Sequence, residues 1–200
     1  MLRLYDHLES GNSYKVRLLL TQLGIPFERI ELDIRRGESR TPDFLRKNPN
    51  GRIPLLELED GTFLSESNAI QFFLADGTDF LPRDRLSRAR VLQWMFFEQY
   101  SHEPYIAVPR FWIHCGLGEQ KRALIDEKRE QGYAALRVME RALDGRRFFV
   151  ADRYSIADIA LFAYTHVAHE GGFDLSAFEA VRAWLKRVGA QSGHIPITQG

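Results

Sequence analysis

Three short runs of polar residues stand where a folded chain could do chemistry. The first is Glu9-Ser10-Gly11-Asn12-Ser13, two hydroxyls and a carboxamide just ahead of an apolar helical stripe. Such groups hydrogen-bond a ligand, or they simply turn the chain and cap the helix. The second is Asn48-Pro49-Asn50-Gly51-Arg52-Ile53-Pro54, a turn-rich loop ending in an X-Pro step before the apolar run Leu55-Leu56-Glu57-Leu58. Proline has no N–H to give a sheet, so it suits the entry to a strand. The step is either a plain turn or a rigid shelf for a ligand, and only about 5–6% of X-Pro bonds in folded proteins are cis. The third is Ser65-Glu66-Ser67-Asn68 at the start of a helix. A helix start has free N–H groups and a partial positive charge that suit a carboxylate. The plainer reading makes Ser65 or Ser67 the N-cap and Glu66 a first-turn acid.

Composition excludes several alternatives. The chain has 200 residues, 44% hydrophobic and 27% charged, with 27 basic and 27 acidic side chains. That balance lacks the basic excess of a duplex-binding domain, so no nucleic-acid partner is expected. No run approaches a bilayer span, and Met1 leads directly into a strand pattern, so neither membrane anchor nor signal peptide is expected. A single cysteine, Cys115, forms no intrachain disulfide, and cytoplasm is the default compartment. No metal site is expected: His166 and His169 share a helical face, but no third or fourth ligand accompanies them.

Hydrophobic periodicity supplies the elements that must position these groups. Leu2 to Tyr5 alternates as a strand, and Val16, Leu19, Leu20 and Leu23 form one helical stripe capped by Asn12 or Ser13 and stopped at Gly24. Phe27 to Leu32 is a second strand, giving a β-α-β unit with a parallel pair. Thr41-Pro42-Asp43 starts a short helix, Leu55 to Leu58 and Phe63-Leu64 form a hairpin about Asp60-Gly61, and Ala69 to Leu74 is a third helix. Residues 77–84 have the composition of a linker. Beyond them the chain reads as helical: Arg85 to Glu103 with a stripe of Leu86, Ala89, Leu92 and Phe96, a stretch broken by Pro104 and Pro109, then Glu119 to Leu143. Ser155-Ile156-Ala157-Asp158 has capping-box spacing at the head of a helix running to about His169, and Leu175 to Val188 is a last amphipathic helix before a polar, loosely held tail.

A β-α-β-α-β-β-α domain over residues 1–76, a linker over 77–84 and an all-helical remainder over 85–200 resemble the cytosolic glutathione S-transferase family. Three motifs carry the resemblance across essentially the whole chain: Ile53-Pro54 before a strand, Ser65-Glu66-Ser67-Asn68-Ala69-Ile70 at a helix start, and Ser155-Ile156-Ala157-Asp158-Ile159-Ala160 in the second domain. It implies a thioredoxin-like first domain, an all-α second domain, a homodimer, and glutathione as co-substrate with no further cofactor. It assigns Ser67 to the γ-glutamyl carboxylate, Glu66 to the ammonium, and the Ile53 backbone ahead of a cis Pro54 to the cysteinyl part. Arg52 and Arg40 become candidates for the glycyl carboxylate. The thiol falls to the first loop: Ser10 at the serine-type position, then Ser13 where some bacterial relatives carry cysteine, with Asn12 assisting. Lys15 adds charge there or faces solvent. Tyr105, Trp112, Tyr100 and Phe111 would line an apolar electrophile site. The implied activity is conjugation of glutathione to an electrophile, as in detoxification; glutathione-dependent reduction of disulfides or peroxides, and a non-catalytic scaffold, are the alternatives.

Overall fold

The computed structural model describes residues 1–200 and divides into two compact units, Met1–Thr78 with Ser192–Gly200, and Asp79–Gln191. The first unit is built on a four-stranded sheet of order β2-β1-β3-β4. Strands β1 (Leu2–Asp6) and β2 (Phe27–Glu31) are parallel, joined through α1 (Gly11–Leu23). Strand β3 (Leu55–Glu57) runs antiparallel to β1, and β4 (Phe63–Ser65) antiparallel to β3. Two further helices, α2 (Pro42–Lys47) and α3 (Ser67–Ala75), complete the predicted β-α-β-α-β-β-α order.

Register explains the two cores. Leu4 lies opposite Leu56 and Tyr5 opposite Leu55, so successive residues face opposite sides of the sheet. Leu4 and Leu56 pack with Val16, Leu20 and Ile70 from α1 and α3. Tyr5 and Leu55 pack with Phe44 from α2. Local stop and start signals act as expected. Gly24 ends α1 in the left-handed region at φ 66, and Thr41 caps α2 with proline in its first turn. The N-cap of α1 is Ser10 rather than Asn12 or Ser13, because the helix begins two residues earlier than its apolar stripe suggests.

The tail departs from the expected division. Residues 192–200, read from sequence as a loose end of the helical domain, pack with the first unit. Ile195 and Ile197 are buried, and the Tyr14 hydroxyl donates to the Ile195 carbonyl at 2.7 Å. Scattered single apolar residues carry no periodic signal, so only the fold reveals their contact.

The second unit holds α4 (Arg85–Phe97), α5 (Glu103–His114), α6 (Arg122–Leu143), α7 (Ile156–Thr165) and α8 (Glu179–Gly189). Every residue of α7 is buried, and the capping box at Ser155 and Asp158 closes its first turn. A π-helical turn over Glu98–His102 joins α4 to α5, Pro104 sits in the first turn of α5, and Pro109 lies inside the helix without breaking it. Pro109 is buried, so surrounding contacts hold the turn that its missing N–H weakens. The predicted stripe on α4 is also corrected. Its buried face carries Ser87, Val91 and Met95, while Leu86 and Phe96 are 60% and 69% exposed. No helix is long and apolar enough to cross a membrane.

Candidate functional site

The sheet register brings the three polar runs of the first unit to one end. Tyr5 near the end of β1 pairs with Leu55 at the start of β3, and Leu55 pairs with Ser65 at the end of β4. The loop that leaves β1, the Ile53-Pro54 step entering β3 and the Glu66-Ser67 exit from β4 therefore meet at the same edge. The Ile53-Pro54 peptide bond is cis. Pro54 is buried and Ile53 half-buried.

Helices α1 and α3 begin there and are tied together at their heads. Asn12 Oδ1 accepts from Lys15 Nζ at 2.7 Å and from the Ser67 hydroxyl at 3.2 Å. Lys15 Nζ also lies 3.4 Å from Ser67 Oγ. Lys15 is fully buried and Ser67 is 5% exposed. The knot thus places one ammonium group between two helix N-termini, and all three favour a nearby anion. Sequence reasoning left Lys15 undecided between this site and solvent. The deciding contact, to Ser67, spans 52 positions. The one local signal was its i, i+3 spacing from Asn12.

Each predicted residue finds a definite place. Ser10 is half-buried at the N-cap of α1, its Oγ accepting from the Ser13 N–H at 3.3 Å. A hydroxyl that accepts there keeps its own proton to donate. Ser13 is fully buried one turn into α1. Glu66 is exposed at the N-cap position of α3 with φ 70 and ψ 112, and its side chain makes no cap hydrogen bond. A non-glycine residue held there costs about 1–3 kcal/mol, a strain found chiefly at functional sites. The Ser67 hydroxyl is directed at Asn12, so no side chain caps α3, and neither serine is its N-cap.

The loop ahead of Ile53 is braced rather than open. Asn48 Nδ2 donates to the Arg52 carbonyl at 2.7 Å, and Arg40 Nη1 donates to the Asn50 carbonyl at 2.8 Å. Gly51, at φ 61, lets Arg40 pass: a Cβ there would come within 2.7 Å of Nη1. Arg40 is therefore a brace for this loop, while the Arg52 side chain is exposed beside Ile53.

Two of the four aromatic residues assigned to an electrophile site meet around one lysine. Tyr105 and Trp112 flank Lys128, whose Nζ lies 5.3 and 5.9 Å from their rings, and Lys121 lies 5.1 Å from Trp112. These faces hold ammonium groups in cation–π contact. Tyr100 and Phe111 are 84% and 47% exposed.

Residues 1–76 match the model of the glutathione S-transferase N-terminal domain, and residues 93–192 match that of its C-terminal domain. The chain belongs to the glutathione S-transferase family. A glutathione S-transferase from Pseudomonas fluorescens is similar in structure, with a TM-score of 0.97, 53% identity and 99% of both chains covered. Ure2p solved in complex with glutathione has a TM-score of 0.87 at 25% identity, covering 96% of this chain and 95% of that one. Among curated proteins, URE2 of Candida albicans is 28% identical over 92% of this chain and 66% of its own length. The chain thus spans about two thirds of the length of that relative.

Proposed function

We propose that this chain is a glutathione transferase, binding glutathione at the open edge of its first unit and delivering the thiolate to an apolar electrophile. The observation that carries this reading is the Asn12–Lys15–Ser67 knot, which joins two helix N-termini beside the cis Ile53-Pro54 step. The γ-glutamyl carboxylate meets the start of α3 at Ser67, and its ammonium pairs with exposed Glu66. The Ile53 backbone hydrogen-bonds the cysteinyl residue as a short added strand, and Arg52 takes the glycyl carboxylate.

The sulfur then faces the head of α1. A free thiol has a pKa of about 8.5 and is only slightly ionised at neutral pH. Lowering it by ~2 units requires roughly 2.7 kcal/mol of preference for the anion. The Ser10 hydroxyl donates to the thiolate, and the α1 N-terminus with buried Lys15 stabilises its charge. Asn12, fixed through Oδ1, orients its amide beside them. The thiolate attacks the electrophilic carbon, a C–S bond forms, and the leaving group departs with the bonding pair. Exposed Leu86, Phe96 and Tyr100 suit contact between two copies of the chain, so the proposed assembly is a homodimer, working in the cytoplasm.

The test is calorimetric titration of glutathione into the chain and its Ser67→Ala variant, followed by product analysis with a halogenated aromatic and with a small disulfide. Binding that weakens in the variant, with thioether product, supports the reading. Disulfide reduction alone moves the chemistry to the reductase alternative, and no binding at all leaves a scaffold.

A further inference from the structure

The segment 192–200 and the loop that carries Ser10 are joined through one side chain. Arg17 is fully buried, and its guanidinium reaches three separate segments. Nη1 donates to Asp6 Oδ2 at 2.5 Å, at the end of β1. Nη2 donates to the Leu8 carbonyl at 2.8 Å, in the middle of the β1–α1 loop. Nη2 also donates to the Ile197 carbonyl at 2.7 Å, in the tail. Three residues earlier, Tyr14 holds the Ile195 carbonyl, and five residues later Gln22 Nε2 holds the Ser192 carbonyl at 3.3 Å. The tail is therefore strapped to α1 by three side chains, Tyr14, Arg17 and Gln22, spread over about two turns of the helix.

The guanidinium is dry where the strap meets it. Ile195 and Ile197 are each 8% exposed, and Asp6 and Arg17 are both at 0%. Under that cover the charge-assisted bonds of Arg17 act in a low dielectric and hold firmly. Leu8 is two residues before Ser10, and the loop is further tied by Ser10 N–H to the His7 carbonyl at 2.8 Å and Leu8 N–H to Glu31 at 3.1 Å. Uncovering Arg17 lets water compete for the Leu8 carbonyl and frees the middle of this loop.

We propose that residues 192–200 are a positioning strap for the thiol-activating loop, acting through Arg17, so that glutathione affinity and thiol activation depend on a segment remote from the sequence of the site. The inference rests on the glutathione reading for its catalytic consequence, but the mechanical link stands on the contacts above.

The experiment compares the full chain with a chain ending at Gln191 and with Tyr14→Phe, which removes one fastening and leaves Arg17 intact. Hydrogen exchange at Leu8, Ser10, Ser13 and Tyr14 should quicken by about tenfold in the shortened chain and less in Tyr14→Phe, as expected of a loosened local unit. The glutathione dissociation constant should rise about tenfold, equivalent to about 1.4 kcal/mol. The acid limb of the conjugation pH profile should also move to higher pH, which a loss of stability alone does not produce. Unchanged loop exchange with unchanged affinity overturns the proposal. If the shortened chain does not fold, Tyr14→Phe decides by the same readings. If even the full chain fails to bind glutathione, the functional reading is what fails, and loop exchange alone judges the strap.

Discussion

Replacing Asp158 tests the helical unit most sharply. Its carboxylate is completely buried and accepts from Ser155 N at 3.0 Å, Ser155 Oγ at 3.1 Å, Phe149 N at 3.2 Å and Trp184 Nε1 at 2.9 Å. From sequence, loss of a cap interaction costs roughly 0.5–2 kcal/mol. Asp158→Ala does more, since it leaves buried N–H donors on three residues without an acceptor. At about 1–3 kcal/mol per unsatisfied group, with partial relaxation, the loss is about 3–5 kcal/mol. That is a large share of a stability of roughly 5–15 kcal/mol. Burial also pushes the Asp158 carboxyl up from 3.8 to about 6, against the opposing pull of its four donors. An acid whose folded value is raised binds its proton more tightly in the folded state, so its contribution weakens as pH rises. The favourable part is fully present below pH 3.8 and is lost as pH climbs through about 6. The gap of about two pH units corresponds to about 3 kcal/mol. Other groups respond to acid as well, so the quantity to follow is the stability of the wild type minus that of Asp158→Asn, which cannot ionise. Urea unfolding followed by tryptophan fluorescence at pH 4, 5, 6 and 7 supplies it. The difference should grow in favour of the wild type as pH falls from 7 to 4. A flat difference, one that grows toward neutral pH, or an Asp158→Ala cost under about 1 kcal/mol refutes the reasoning.

Other substitutions probe the glutathione site. Ser10→Ala should raise the pKa of bound glutathione by about one unit, read from thiolate absorbance, and remove about 1 kcal/mol of helix capping. Lys15→Met keeps the stem volume but removes the buried charge; the thiol pKa should rise and glutathione affinity fall severalfold by calorimetry, and an unchanged pKa would exclude Lys15 from activation. Glu66→Gly should stabilise the chain by up to about 1–3 kcal/mol in thermal unfolding by relieving the positive φ, while weakening glutathione binding. Arg40→Ala should weaken binding modestly through the loosened 50–52 loop; a loss as large as that of Arg52→Ala would restore it as a direct ligand.

The candidate site was legible where its signals are local. Ser10 was placed by counting back from Ile25-Pro26-Phe27, Ser67 by its place at a helix start, and Ile53-Pro54 by its place before a strand. Ser13 stayed open beside Ser10 because a serine at the head of a helix reads the same whether it faces a ligand or the core, and here it is fully buried. Lys15 stayed open because charged residues on a helix are ordinarily solvated, yet it is buried here, as is Arg17, which no local pattern singled out. The stripe on α4 failed because it satisfies helical periodicity on a face that this single chain does not cover.

The sequence by itself determined the elements and their order, because caps, stops, turns and alternation act over a few residues: Gly24, Thr41-Pro42, Asp60-Gly61 and Ser155 to Asp158 each did so. Only the tertiary structure decided which charged groups are dry, which serine faces outward, and that the tail straps α1. Those outcomes depend on contacts such as Lys15 with Ser67 and Arg17 with Ile197, separated by 52 and 180 positions. Burial and dielectric come from what lies across the fold, and no local pattern encodes them.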